Sequence, residues 1–283
     1  MTHRMKSLPS LALWLLLSCS IAWSDNPPPN VPKLDIRFTQ KGFRTVPENF
    51  VAVCNSAAMA IARHYPDRKF KPILIPKANH GYPVQLDRKG PNGESRIMLS
   101  VSDGWGWAQI AFQFSHEFTH IVINQDQPSA GPNHWINEAF CEAASYHAIM
   151  VMAKEWKTHP PYPNWKGYAK HLDSYAGNYL KKENAKPEGM EFIPWLRKHE
   201  KALRLGKRYP NREIYKYVSY QLYGLIERNP KHLAAIGLLN TGLKDQALTT
   251  RQYLARWKKV LPPTHKPFAD QTAALLGYPL SSP

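Results

Sequence analysis

Cysteine is scarce: three residues in a chain of 283 cannot make a disulfide framework, so a small cross-linked scaffold is excluded and an apolar core must hold the fold. Acidic residues are few as well. The 21 Asp and Glu stand against 37 Lys and Arg, for a formal charge of +16. No stretch interleaves these cations with aromatic residues as a nucleic-acid module does, so no nucleic-acid partner is expected. An anionic cell-envelope surface or an acidic substrate suits the charge better. There is no repeat of fixed period, which excludes a solenoid. Nor is there an apolar run long enough to cross about 30 Å of hydrocarbon.

What is present begins with an export pattern. Arg4 and Lys6 precede an apolar run from Leu11 to Trp23, and Ala22-Trp23-Ser24 places small residues at the usual cleavage positions. Residues 1–24 are therefore expected to be a signal peptide and the protein to be secreted or periplasmic. Leu16-Leu17-Ser18-Cys19 resembles a bacterial lipobox, which gives the alternative of a lipid anchor on Cys19. Without Arg4 and Lys6 the charge is still +14. Only Cys54 and Cys141 then remain, free to pair in an oxidising compartment but not required to.

Residues 25–33 (DNPPPNVPK) form a proline-rich spacer. Alternation over 34–39, and the short apolar or alternating runs 71–76, 82–87 and 95–101, predict four strands. The last two are joined through Lys89-Gly90-Pro91-Asn92-Gly93, whose Asn-Gly pair signals a hairpin. Helical spacing predicts helices over 47–65, 107–124 and 134–154, with Asp103 capping the second. Further helices are expected over 170–181, 191–203, 213–228, 231–239, 249–260 and 267–276. The fold class is α+β, with a first lobe over 34–157 and a mainly α-helical second lobe over 158–283.

The chemistry concentrates in His116-Glu117-Phe118-Thr119-His120. On a helix, residues four apart share a face, so the two imidazoles address one point. Zinc accepts neutral imidazole and keeps a position open for water, whose proton it acidifies towards a pKa of about 7. Glu117 is placed to take that proton. A third ligand is needed, and Asp126, His134 and Glu138 are the candidates. Ile123 and Asp126 stand where a metzincin would have glycine and histidine.

With Trp135-Ile136-Asn137-Glu138-Ala139-Phe140 following at this distance, the chain resembles the gluzincin zinc peptidases, the group that includes thermolysin and aminopeptidase N. The resemblance implies a zincin-like first lobe, Zn²⁺ on His116, His120 and Glu138, and Glu142 one turn on as a carboxylate bonded to a ligand histidine. It implies that a peptide or protein substrate lies along the sheet edge at Arg96–Val101, with Met98, Leu99 and Ser100 as its contacts. It also implies an oxyanion-stabilising tyrosine from the second lobe, and Tyr217 or Tyr220 in the tyrosine-rich stretch 215–224 could hold that role. The aminopeptidase G-x-M-E-N word is missing around Met98, which points to an endopeptidase. A zinc amidase acting on a cell-wall polymer, or a non-catalytic envelope protein that retains the fold, are the alternatives.

Overall fold

Pro47 opens the first helix, α1 (Pro47–Ala62), at a position where a backbone N–H would have no intrahelical partner. Phe50, Val53, Cys54, Ala57, Ala58 and Ile61 then recur at helical spacing, and all are buried. The computed structural model describes residues 34–39, 43–78, 81–101, 103–124, 131–183, 189–205, 212–244 and 247–280. The expected signal peptide, Cys19, the spacer 25–33 and Asp126 lie outside the described residues.

Four short strands form one mixed sheet of order β1-β2-β4-β3. β1 (Ile36–Phe38), β2 (Ile73–Ile75) and β4 (Ser95–Met98) run parallel, and β3 (Val84–Leu86) runs antiparallel to β4. The hairpin between β3 and β4 closes at Gly93, whose φ of +80° is one that side-chain-bearing residues rarely adopt. Lys77 bridges Leu99 in parallel beyond the end of β4, and the Ala78 amide donates to the Leu99 carbonyl at 3.0 Å. The parallel pairing thus continues past the named strand.

α2 (Trp107–Asn124) and α3 (His134–Glu155) are apolar on most of their faces and almost wholly buried, as central helices must be. Asp103 lies ahead of α2, where its carboxylate accepts from the Trp105 and Gly106 amides at 2.9 and 3.3 Å. Then come α4 (Ala169–Glu183), α5 (Phe192–Leu205), α6 (Arg212–Arg228), α7 (Leu233–Ile236), α8 (Thr250–Val260) and α9 (Lys266–Leu275). The helix expected over 231–239 is shorter, because Leu238 and Leu239 already donate three residues back, to Ala235 and Ile236, and tighten the chain out of α-geometry. α3 packs on α1, α2, α4 and α6, and one hydrophobic core extends from Leu34 to Leu276 without a break at residue 157. Cys54 and Cys141 are both free and buried. No helix among the described residues is long and apolar enough to cross a membrane.

A buried polar chain fixes the ends of α2 and α3 to the last helices. The Asn240 amide donates to Asn124 Oδ1 at 2.6 Å, and the Tyr253 hydroxyl lies 2.6 Å from Asn240 Oδ1 and 2.8 Å from Asn137 Oδ1. Asn133, just before α3, is held by Arg204 at 2.7 Å, and its own amide donates to the Leu248 carbonyl at 2.9 Å. Tyr253→Phe leaves two buried amides short of a partner and should cost about 1–3 kcal/mol, read as a lower urea midpoint at unchanged m-value.

His64, just past α1, is buried beside His147 and Arg63, and burial first, then these two neighbours, acidify its imidazole to about 3. Its folded-state pKa lies below its unfolded value, so the unfolded chain binds the extra proton. This stability is complete above about pH 6.5 and is lost as pH falls towards 3. At about 1.4 kcal/mol per unit of pKa, a few kcal/mol of acid sensitivity should disappear in His64→Gln when unfolding free energy is compared from pH 7 to pH 4. An unchanged slope would remove His64 as its source.

Candidate metal centre

α2 and α3 lie side by side, and their facing surfaces carry an unusual number of ionisable groups for a protein interior. His116, Glu117 and His120 of α2 are 5%, 4% and 7% exposed, and Glu142 of α3 is 1% exposed. Burial at this level requires partners, and each group has them. Glu138 reaches His116 Nε2 with one oxygen at 3.2 Å and His120 Nε2 with the other at 3.3 Å. The two imidazoles meet edge to face with centroids 5.1 Å apart.

His116 Nδ1 lies 3.0 Å from Glu142, whose other oxygen accepts from the Tyr146 hydroxyl at 3.3 Å. With Nδ1 committed to Glu142, Nε2 is the nitrogen that faces Glu138, at 3.2 Å. Burial disfavours a charged ring at His116, yet the Glu138 and Glu142 carboxylates outweigh it and raise the imidazole to about 10. Glu138 is the complement. Burial would raise its carboxyl, but the His120, His116 and His134 rings hold it well below the usual carboxylate range. This concentration of opposite charge around one point is what a bound cation would otherwise provide.

Glu117 stands apart from these pairs. Burial pushes its carboxyl up, while the nearby His116 and His120 rings draw it down in part. One of its oxygens accepts from the Gln85 backbone amide of β3 at 2.6 Å. The amide fixes the direction of the carboxylate while burial raises its proton affinity, the two properties a general base requires.

The structure brings His116, His120 and Glu138 together. Two imidazoles and a carboxylate are donors of the kind zinc takes, and bonds of about 2.0–2.2 Å to such an ion set neighbouring ligands about 3.3 Å apart, close to the two imidazole–carboxylate distances. A second set overlaps it, since the Cys141 thiol lies with the two imidazole nitrogens inside a group whose members are all within 4.8 Å of one another. Burial, and then the Glu138, Glu117 and Glu142 carboxylates, push that thiol well above its usual pKa, so it is a poor source of thiolate beside an already ionised Glu138.

His134, set at the start of α3, is also drawn into the cluster. Its Nε2 lies 2.8 Å from Glu138, and its ring stacks at 6.1 Å from His120. His134 was one of the three candidates for the third ligand, and the entry of α3 beside α2 turns it inward. Gln85 was not legible as part of the centre, because a backbone donor leaves no residue-type signal.

Two expectations are corrected. β4 is an interior strand, not the sheet edge, so Met98, Leu99 and Ser100 do not offer a free backbone. Met98 pairs with Val84 of β3, the Leu99 carbonyl accepts from Ala78, and Ser100 exchanges both its backbone groups with the Gln113 side chain of α2, at 3.0 and 2.8 Å. A hairpin signal cannot say which of its strands lies outside; here it is β3, next to Glu117. Tyr217 is the second correction, since its ring is 5% exposed and packs edge-on against Phe192 and Trp195 of α5, at 5.3 and 4.9 Å. Tyr220, one turn apart on α6, is only partly buried.

No protein-family model, curated protein or solved structure matches this chain.

Glu138→Ala should abolish stoichiometric zinc binding, while Cys141→Ala should keep it, as measured by elemental analysis after equilibrium dialysis. Glu142→Gln should lower the affinity about 10–100-fold by releasing His116. Loss of the metal in Cys141→Ala with retention in Glu138→Ala would make the thiol the third ligand instead.

Proposed function

We propose that this chain is an exported zinc metallopeptidase, with Zn²⁺ held by His116, His120 and Glu138 and with Glu117 as the general base. The observation that carries this reading is the Glu138 carboxylate, 3.2 and 3.3 Å from two imidazole nitrogens of one helix face, beside a separately held, buried Glu117. Zinc in such a set supplies Lewis acidity and a water that loses its proton near neutral pH.

The remaining work falls to the chain. Glu117 accepts the proton of the attacking water with the oxygen that Gln85 does not occupy, and later delivers it to the departing amide nitrogen. Glu142 keeps His116 in the tautomer that leaves Nε2 free. Tyr220 is the tyrosine proposed to donate to the developing oxyanion. β3 takes over from β4 as the edge along which an extended peptide would pair, since backbone pairing leaves side chains free to set preference. Export and a charge of +14 once Arg4 and Lys6 are removed suit work at an anionic cell envelope, either as a soluble protein or anchored through Cys19.

The purified protein should cleave a complex peptide mixture, read by mass spectrometry, and a chelator should stop it. Glu117→Gln should retain zinc and lose at least about 100-fold in turnover, the scale of a general base, and Tyr220→Phe should lower kcat more than it changes KM. Equal turnover in wild type and Glu117→Gln would overturn the assignment.

A further inference from the structure

A second pair of buried histidines lies where α1, α3 and α6 meet, away from the first centre. His147 sits nine residues beyond Glu138 along α3, or about 14 Å at the helical rise. It is 2% exposed, and its Nδ1 is 2.7 Å from Glu227 of α6. His64, two residues beyond the end of α1, brings its ring to 6.0 Å from that of His147, the planes inclined at 60°. The Nε2 atoms of both rings are buried and have no hydrogen-bonding partner.

This pairing is chemically directed. A carboxylate facing Nδ1 orients an imidazole so that Nε2 is its free nitrogen, and Glu227 holds His147 in that orientation. His64 is neutral at physiological pH, with its imidazole acidified to about 3 by burial, by His147 and by Arg63. The Arg63 charge is itself engaged by Glu155 at 2.7 Å. Two imidazoles side by side, each with an unpartnered buried nitrogen, lack an electrophile that both can share. Hard cations such as Mg²⁺ and Ca²⁺ prefer oxygen donors; Zn²⁺, Ni²⁺ and Cu²⁺ take imidazole.

We propose that His64 and His147 form a second site for a divalent transition-metal ion of the imidazole-preferring class, with Glu227 orienting His147 and water completing the coordination. Its ligands come from the turn after α1 and from α3, and its supporting carboxylate from α6. The ion therefore acts as a clamp between α1 and α3, with α6 tied to it through Glu227. The site has no carboxylate poised as a base and does not depend on the reading of His116, His120 and Glu138.

The test is a count of bound metal on the full chain after stripping, using Ni²⁺ and Zn²⁺ in equilibrium dialysis with elemental analysis, and thermal unfolding in parallel. Wild type should bind two equivalents. His120→Ala should keep one equivalent and a Ni²⁺-dependent rise in Tm, whereas His64→Ala should lose that equivalent and that rise. Glu227→Gln keeps both histidines at a half-exposed position and should weaken the second site about 10–100-fold, so the proposal stays testable if the histidine variants fold poorly. A His64→Ala protein that binds as much metal as wild type, a Glu227→Gln protein of unchanged affinity, or wild type with a single equivalent that His120→Ala abolishes would each overturn it.

Discussion

The interior depends on one carboxylate. Glu138 is shared among three imidazoles, and the arrangement works only if α3 enters beside α2 at one rotation and one height. A shift of one residue along α3 would turn the charge by about 100° and leave buried ions on both helices unpaired, at several kcal/mol each. The surrounding packing serves that register. Asn137, the residue before Glu138, is gripped by Tyr253, and Asn133, just ahead of α3, is gripped by Arg204. The helices after residue 158 do more than cover the core: they hold the acid that faces the histidines.

Charge inside the molecule is arranged in separate compartments. Glu138 is surrounded by imidazoles and ionises readily, while Glu117, one residue from His116, is steadied by a main-chain amide and has a proton affinity raised by burial. Two carboxylates a few ångströms apart are thereby driven to opposite behaviour, the condition under which one binds a cation and the other carries protons. Cys141 lies three residues beyond Glu138, and burial, reinforced by the same negative field, pushes its thiol well above its usual pKa.

Local signals in the sequence were read well, and relations between distant segments were not. α2 was legible closely, because Asp103 precedes it and apolar residues recur along it from Trp107 to Ile123. The four strands were legible from alternation, and the hairpin from Asn92-Gly93. Which hairpin strand lies outside is a property of the sheet, and Met98 to Ser100 were consequently misplaced. Tyr217 and Tyr220 are one turn apart and equal in type, so only packing against α5 distinguishes them. The His64–His147 pair was beyond reach for the same reason. A histidine's neighbour across a helix interface leaves no trace in spacing along one chain.

The contact between Gln85 and Glu117 has an evolutionary side. Its donor belongs to the main chain, so nineteen of the twenty residue types could stand at position 85 and still present it; only proline would remove it. The outer strand of the sheet is thus free to drift in sequence, and to change whatever lies against it, without loosening the acid beneath.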